Sequence, residues 1–204
     1  MNPFPKSLRL ASALLLGWAL QAQGPATRLV AAARSQVGIT LRYDHQYQRL
    51  KYPGGDVPLD RGVCTDVVIR AYRGLGLDLQ VLVHRDMVAA WAEYPKDWGL
   101  KGPDANIDHR RVPNLATFLH RHGETLPIPR DPAAYRPGDI VVWRLPSGVP
   151  HIGIVSDRRT PEGVPLMIHN VGYGTQEEDE LFRNPITGHY RWFPAPPPGV
   201  DSKG

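Results

Sequence analysis

The chain has 204 residues, enough for one ordinary domain, and with 42% apolar and 22% charged residues it can bury a core, which excludes wholesale disorder. Gly (20) and Pro (21) supply about a fifth of the chain without a three-residue period, which excludes collagen and implies many turns. The net charge of +4 comes from scattered rather than clustered basic residues, so nucleic acid is not an expected partner, and a single cysteine, Cys64, excludes an intrachain disulfide framework.

Residues 1–23 read as a secretory signal peptide: Lys6 and Arg9, then the apolar run Leu10–Leu20, then small residues near Ala19 and Ala22. The run would rise about 16 Å as a helix against a hydrocarbon core of about 30 Å, so no stable membrane insertion is expected after cleavage. The expected location is periplasmic or secreted. Residues 24–193 then form one domain. Alanine-rich residues 25–37 predict a helix stopped by Gly38, and residues 40–62, with Tyr52-Pro-Gly-Gly-Asp56, predict a long loop. A second helix opens at Cys64, with Val67, Val68, Ala71, Tyr72 and Leu75 on one face. Short helices are expected at 85–93 and 113–122.

The pattern then turns to strands: Ile140–Trp143, His151–Ser156, Val164–Asn170 and Gly188–Phe193, the last expected to close the sheet. Residues 194–204, rich in proline, predict a disordered tail. Helices first and an antiparallel sheet afterwards make the fold class α+β.

Cys64 carries the strongest chemical signal. At a helix start, unpaired N–H groups and the helix dipole favour thiolate, the nucleophilic form; a small buried hydrophobe fits the same position equally well. A nucleophilic thiol needs a base, and the base an orienting group. Of eight histidines, His45, His84, His109, His120, His122 and His189 fall in polar stretches and are expected at the surface. His151 opens an apolar strand and His169 sits near the end of the next, so a hairpin can bring them side by side. Two histidines and a cysteine can also hold zinc, but no second cysteine or histidine lies within four residues of Cys64, as structural zinc sites require, so no metal is expected.

The motifs Gly62-Val-Cys-Thr-Asp-Val-Val-Ile-Arg-Ala-Tyr72, Asn106–Leu115 and Pro185-Ile-Thr-Gly-His-Tyr190, with Gly138–Trp143 and His151-Ile-Gly-Ile-Val155, resemble the bacterial family known as domain of unknown function 1287. That family is grouped with the NlpC/P60 branch of papain-like cysteine peptidases and amidases. The resemblance implies a cysteine-bearing helix packed on a C-terminal antiparallel sheet that carries the histidines. It also implies hydrolysis of amide bonds in peptidoglycan peptides, with no cofactor. By the same resemblance Cys64 is the nucleophile, His151 the base and His169 the orienter, with Asn170 the alternative. Tyr43, with Tyr52 as competitor, and Thr65 are assigned to the oxyanion or substrate side.

The usual Asp-Cys-Ser-Gly is replaced by Val63-Cys64-Thr65-Asp66. Asp66 is therefore expected to act as a cap, with a substrate contact or a raised thiol pKa as the alternatives. Residues 84–122 exceed the minimal fold, and their Asp108, His109, Arg110 and Arg111 are read as solvated surface or as a grip on a substrate carboxylate. The expected state is a monomer whose partner is a wall peptide. A non-catalytic wall- or protein-binding module and an acyltransferase are the rival functions.

Overall fold

The structure, a computed structural model, describes residues 24–194. Residues 1–23, expected to be a signal peptide, and the residues beyond Pro194, expected to be a disordered tail, lie outside the described residues. Helix α1 (Pro25–Arg34) uses Pro25 in its first turn, where a missing N–H costs nothing, and continues as turns to Ile39. Helix α2 (Cys64–Arg73) follows, then α3 (Leu79–Ala89) and α4 (Val112–His122). The α3 helix starts six residues before the expected 85. Asp78 explains the shift, because its side chain accepts the Gln80 N–H at 3.1 Å and caps the first turn. Trp91–Glu93 is a separate 3₁₀ turn.

The expected loop of 40–62 contains two short parallel strands, β1 (Arg42–Tyr43) and β2 (Arg61–Gly62), which anchor the approach to Cys64. Among the described residues a second sheet has six strands: β3 (Glu124–Thr125), β4 (Ile140–Arg144), β5 (Pro150–Arg159), β6 (Pro165–Asn170), β7 (Thr175–Glu178) and β8 (Ile186–Arg191). Their order is β3-β8-β4-β5-β6-β7, all antiparallel. β8 therefore does not close the sheet; it lies inside β3, and it ends before Trp192, which turns into the helical core. β7 was not expected because Thr-Gln-Glu-Glu has no apolar alternation, a composition suited to an exposed edge.

The sheet is buried on both faces, so Ile140–Trp143 is apolar throughout rather than alternating. Ile140, Val142, Ile152, Ile154 and Ile168 face the helices, packing with Val67, Val68, Ala71 and Tyr72 of α2. Val141, Trp143, Val155 and Met167 form a second, smaller core with Tyr135 and Leu181. Each fully buried aliphatic side chain contributes about 1.5–3 kcal/mol, so α2 is fixed on the sheet by its apolar face. The result is an α+β fold in which the first turn of α2 meets the sheet near the start of β5. Among the described residues no helix is long and apolar enough to cross a membrane.

Candidate active site around Cys64

Cys64 is the first residue of α2, preceded by the extended residue Val63. The cap is supplied from within the helix: Asp66 accepts the Val63 N–H at 2.7 Å. Its carboxylate is also clamped by Arg110, with Nε on Oδ1 and Nη2 on Oδ2, both at 2.9 Å. Both side chains are almost fully buried. Thr65 donates its hydroxyl to the Arg110 carbonyl at 3.0 Å. Gly62 leaves room for this arrangement, since a Cβ there would stand 3.0 Å from both Asp66 Cβ and Oδ2.

The Cys64 side chain is buried against β5, with the backbone N–H groups of Ile152, Thr65 and Cys64 itself turned to the sulfur. These donors favour the anion, but burial, reinforced by the charge of Asp66, outweighs them and pushes the thiol up to about 11. The expectation that the helix start yields a resting thiolate is therefore corrected: desolvation exceeds what the exposed N–H groups return. Tyr43, in β1, lines the same cleft as the sulfur, and its phenol is raised by burial and by that neighbour. Tyr52 is exposed and packs edge-on against His84.

One residue before Ile152, His151 is buried on β5, and its Nε2 lies 2.8 Å from Nδ1 of His169 on β6. Its Nδ1 takes no hydrogen bond among the described residues. Burial, then the charge His169 would carry, lowers His151 to about 3, so it rests as a neutral imidazole. Burial lowers His169 as well, opposed by Glu178, whose Oε1 is 3.2 Å from Nε2 without the geometry of a hydrogen bond. Trp143 covers the pair, its ring centre 5.6 Å from that of His151 and 6.2 Å from that of His169. The indole is locked by its N–H on the Leu181 carbonyl at 2.9 Å. Gly153 permits the close packing, because a Cβ there would stand 3.0 Å from His169 Cβ and 3.2 Å from the indole.

Asn170 is engaged elsewhere. Its amide donates to the Gly62 carbonyl at 3.0 Å and the Arg42 carbonyl at 3.3 Å, strapping β6 to the segment that leads into Cys64. The segment read as solvated surface is largely interior: Asp108, His109 and Arg110 are buried, because Arg110 reaches inward to Asp66. His189 is also buried, held by Asp139 at 3.0 Å and the Pro127 carbonyl at 2.8 Å. Sequence reasoning missed Trp143 and Glu178 as neighbours of the histidines. Trp143 was available in the quoted Gly138–Trp143 motif, one position out of phase with the strand's helix-facing residues; the polar β7 strand offered no comparable signal for Glu178. Among the described residues no group of three His, Cys, Asp or Glu side chains is arranged to hold a metal ion.

The fold and site define an α+β protein with a lone thiol at a helix start and, on the strands that helix packs against, a paired imidazole. The chain belongs to the family described as domain of unknown function (DUF1287), whose pattern matches residues 30–192. It is 59% identical over 161 residues to the uncharacterized protein YijF of Escherichia coli (strain K12), covering 79% of this chain and 78% of that one. The solved structure of NlpC1 from Trichomonas vaginalis is similar at a TM-score of 0.47 and 16% identity, over 83% of this chain. The chain spans about 45% of that protein's length.

Proposed function

We propose that the protein is a thiol-dependent hydrolase that cleaves amide bonds in peptidoglycan peptides, acting as a monomer in the periplasm or outside a bacterial cell. One observation carries this reading: the His151–His169 contact of 2.8 Å lies at the start of β5, a strand that packs with Cys64 in the core beneath α2. A nucleophile, a base and an orienter on neighbouring elements are the parts that acyl transfer through a thioester requires. The wall-peptide substrate and the NlpC/P60-like assignment rest on the motif resemblance.

Resting thiol and resting imidazole are both neutral, so the proton moves during the attack rather than before it. Cys64 Sγ bonds to the amide carbon as its proton passes to Nδ1 of His151, and the carbonyl oxygen becomes an oxyanion. The N–H groups of Cys64 and Thr65, with the Tyr43 hydroxyl, are the donors available to it. His151 then returns the proton to the leaving amine as the C–N bond breaks, leaving a thioester. Water, deprotonated by the same imidazole, attacks that thioester and releases the carboxylic acid and the thiol. His169 fixes the His151 ring, while Trp143 keeps water from their hydrogen bond. The sequence needs neither a metal nor an organic cofactor.

The test is mass spectrometry of purified muropeptides and whole sacculi before and after incubation. Wild-type protein is expected to release fragments larger by one water per cut, and Cys64→Ala to release none while keeping its circular dichroism spectrum. Equal release by Cys64→Ala overturns the assignment. An added amine appearing in the product identifies acyl transfer instead of hydrolysis. A second reading, a non-catalytic wall-binding module, is favoured by the burial of the sulfur and its displaced titration. It predicts that wild type and Cys64→Ala bind wall peptide equally and that neither cuts it.

A further inference from the structure

A cleft of about 400 Å³ opens beside the thiol, walled by Tyr43, His45, Cys64, Trp98, Arg110 and Arg111 among others. None of its lining residues is Asp or Glu. The two guanidinium groups differ. Arg110 is consumed internally by Asp66 and by the carbonyls of Asp44 and Gln46. Arg111 is not: its side chain is only 15% exposed, and its Nη1 is buried without a hydrogen-bond partner. Asp108 approaches from its own turn, but its Oδ1 stops at 3.9 Å, and that oxygen is itself unpartnered. The guanidinium carbon lies over the Trp98 ring, 4.2 Å from its centre, a cation–π contact that holds the group in place at the cleft wall.

A buried charged donor without an acceptor is costly, and a planar fork is matched by a carboxylate accepting two parallel N–H bonds. We propose that Arg111 binds a carboxylate of the substrate, so that the site selects peptides carrying a free acid close to the amide presented to Cys64. This rests on the reading of Cys64 as the place where substrate is bound. It separates the roles of two adjacent arginines: Arg110 holds the architecture of the helix start and Arg111 reads the ligand.

The test measures binding apart from catalysis. Full-length Cys64→Ala protein is titrated calorimetrically with a diaminopimelate-containing wall peptide and with the same peptide after conversion of its free carboxylates to carboxamides. The acid is expected to bind at least about tenfold tighter, a difference of about 1.4 kcal/mol. Adding Arg111→Gln is expected to abolish the preference, and Arg111→Lys to keep part of it, with thermal midpoints confirming that both variants fold. Equal affinity for the two peptides, binding of neither, or a preference that survives Arg111→Gln overturns the proposal. Because the titrated protein lacks the thiol, a wild type that never hydrolyses would sink the hydrolase reading alone, whereas hydrolysis indifferent to the carboxylate would sink this inference alone.

Discussion

Two buried imidazole networks share the six-stranded sheet and finish differently. On β8, both ring nitrogens of His189 meet acceptors, Pro127 and Asp139, and Asp139 in turn accepts two bonds from Arg191 at 2.8 and 2.9 Å and one from the Arg136 N–H at 2.9 Å. On β5, His151 spends one nitrogen on His169 and leaves the other unspent, while His169 faces Glu178 without bonding to it. Completely satisfied buried polar groups rigidify a structure. A network with an open end retains a place where a proton can go. Burial alone therefore does not separate an architectural histidine from a chemical one, and under the proposed function it is the open ring nitrogen of His151 that distinguishes it from His189.

Breaking each network should give opposite signatures. His151→Ala is expected to lower turnover of wall peptide by about 10²–10⁴-fold, the usual contribution of a general base. Asp139→Ala is expected to cost about 3–5 kcal/mol of stability by leaving Arg191 and His189 without their buried partner, with turnover per folded molecule unchanged. Chemical denaturation read beside initial rates separates the two. Loss of turnover in Asp139→Ala at full stability would dissolve the distinction.

Acid sharpens the same contrast. His151 and His109 rest near a pKa of 3 through burial, and His169 is lowered by the same cause, whereas an unfolded histidine titrates near 6.5. The unfolded chain thus binds more protons, so stability present above about pH 6.5 is lost as pH falls towards 3, by up to about 1.4 kcal/mol per pH unit for each histidine. Asp139 behaves in a lower window. Burial would raise its carboxyl, but bonds from His189 and Arg191 outweigh that and hold it below the ordinary value, so its contribution is lost only below about pH 4. Urea midpoints measured at pH 7, 5.5 and 4 should fall at each step, and a flat profile from 7 to 5 would contradict the neutral buried rings.

The smallest effect is expected at Glu178. Its side chain is 42% exposed, so Glu178→Gln should reduce turnover by no more than about fivefold, in keeping with a solvent-screened carboxylate beside a neutral ring. The loss should be larger at low than at high salt.

What the sequence disclosed followed short-range rules. The amphipathic run after Cys64, the apolar strands and the hairpin bringing His151 to His169 all depend on residues within about twenty positions of one another. What it hid depends on distant partners. Asp66 meets Arg110 across 44 positions and His189 meets Asp139 across 50, so the burial of these polar residues could not be read from their polar neighbours. The thiol was misjudged for a related reason. A helix start is visible in sequence, but the depth at which it is covered is not, and depth decided the balance.

That covered sulfur has a consequence for durability. Thiolates attack peroxides and disulfides far faster than thiols do, so on the proposed mechanism a cysteine that stays protonated until a peptide arrives is shielded from sulfenic acid formation between encounters. Under the proposed function, reactivity is conferred by the visitor instead of being stored in the idle protein.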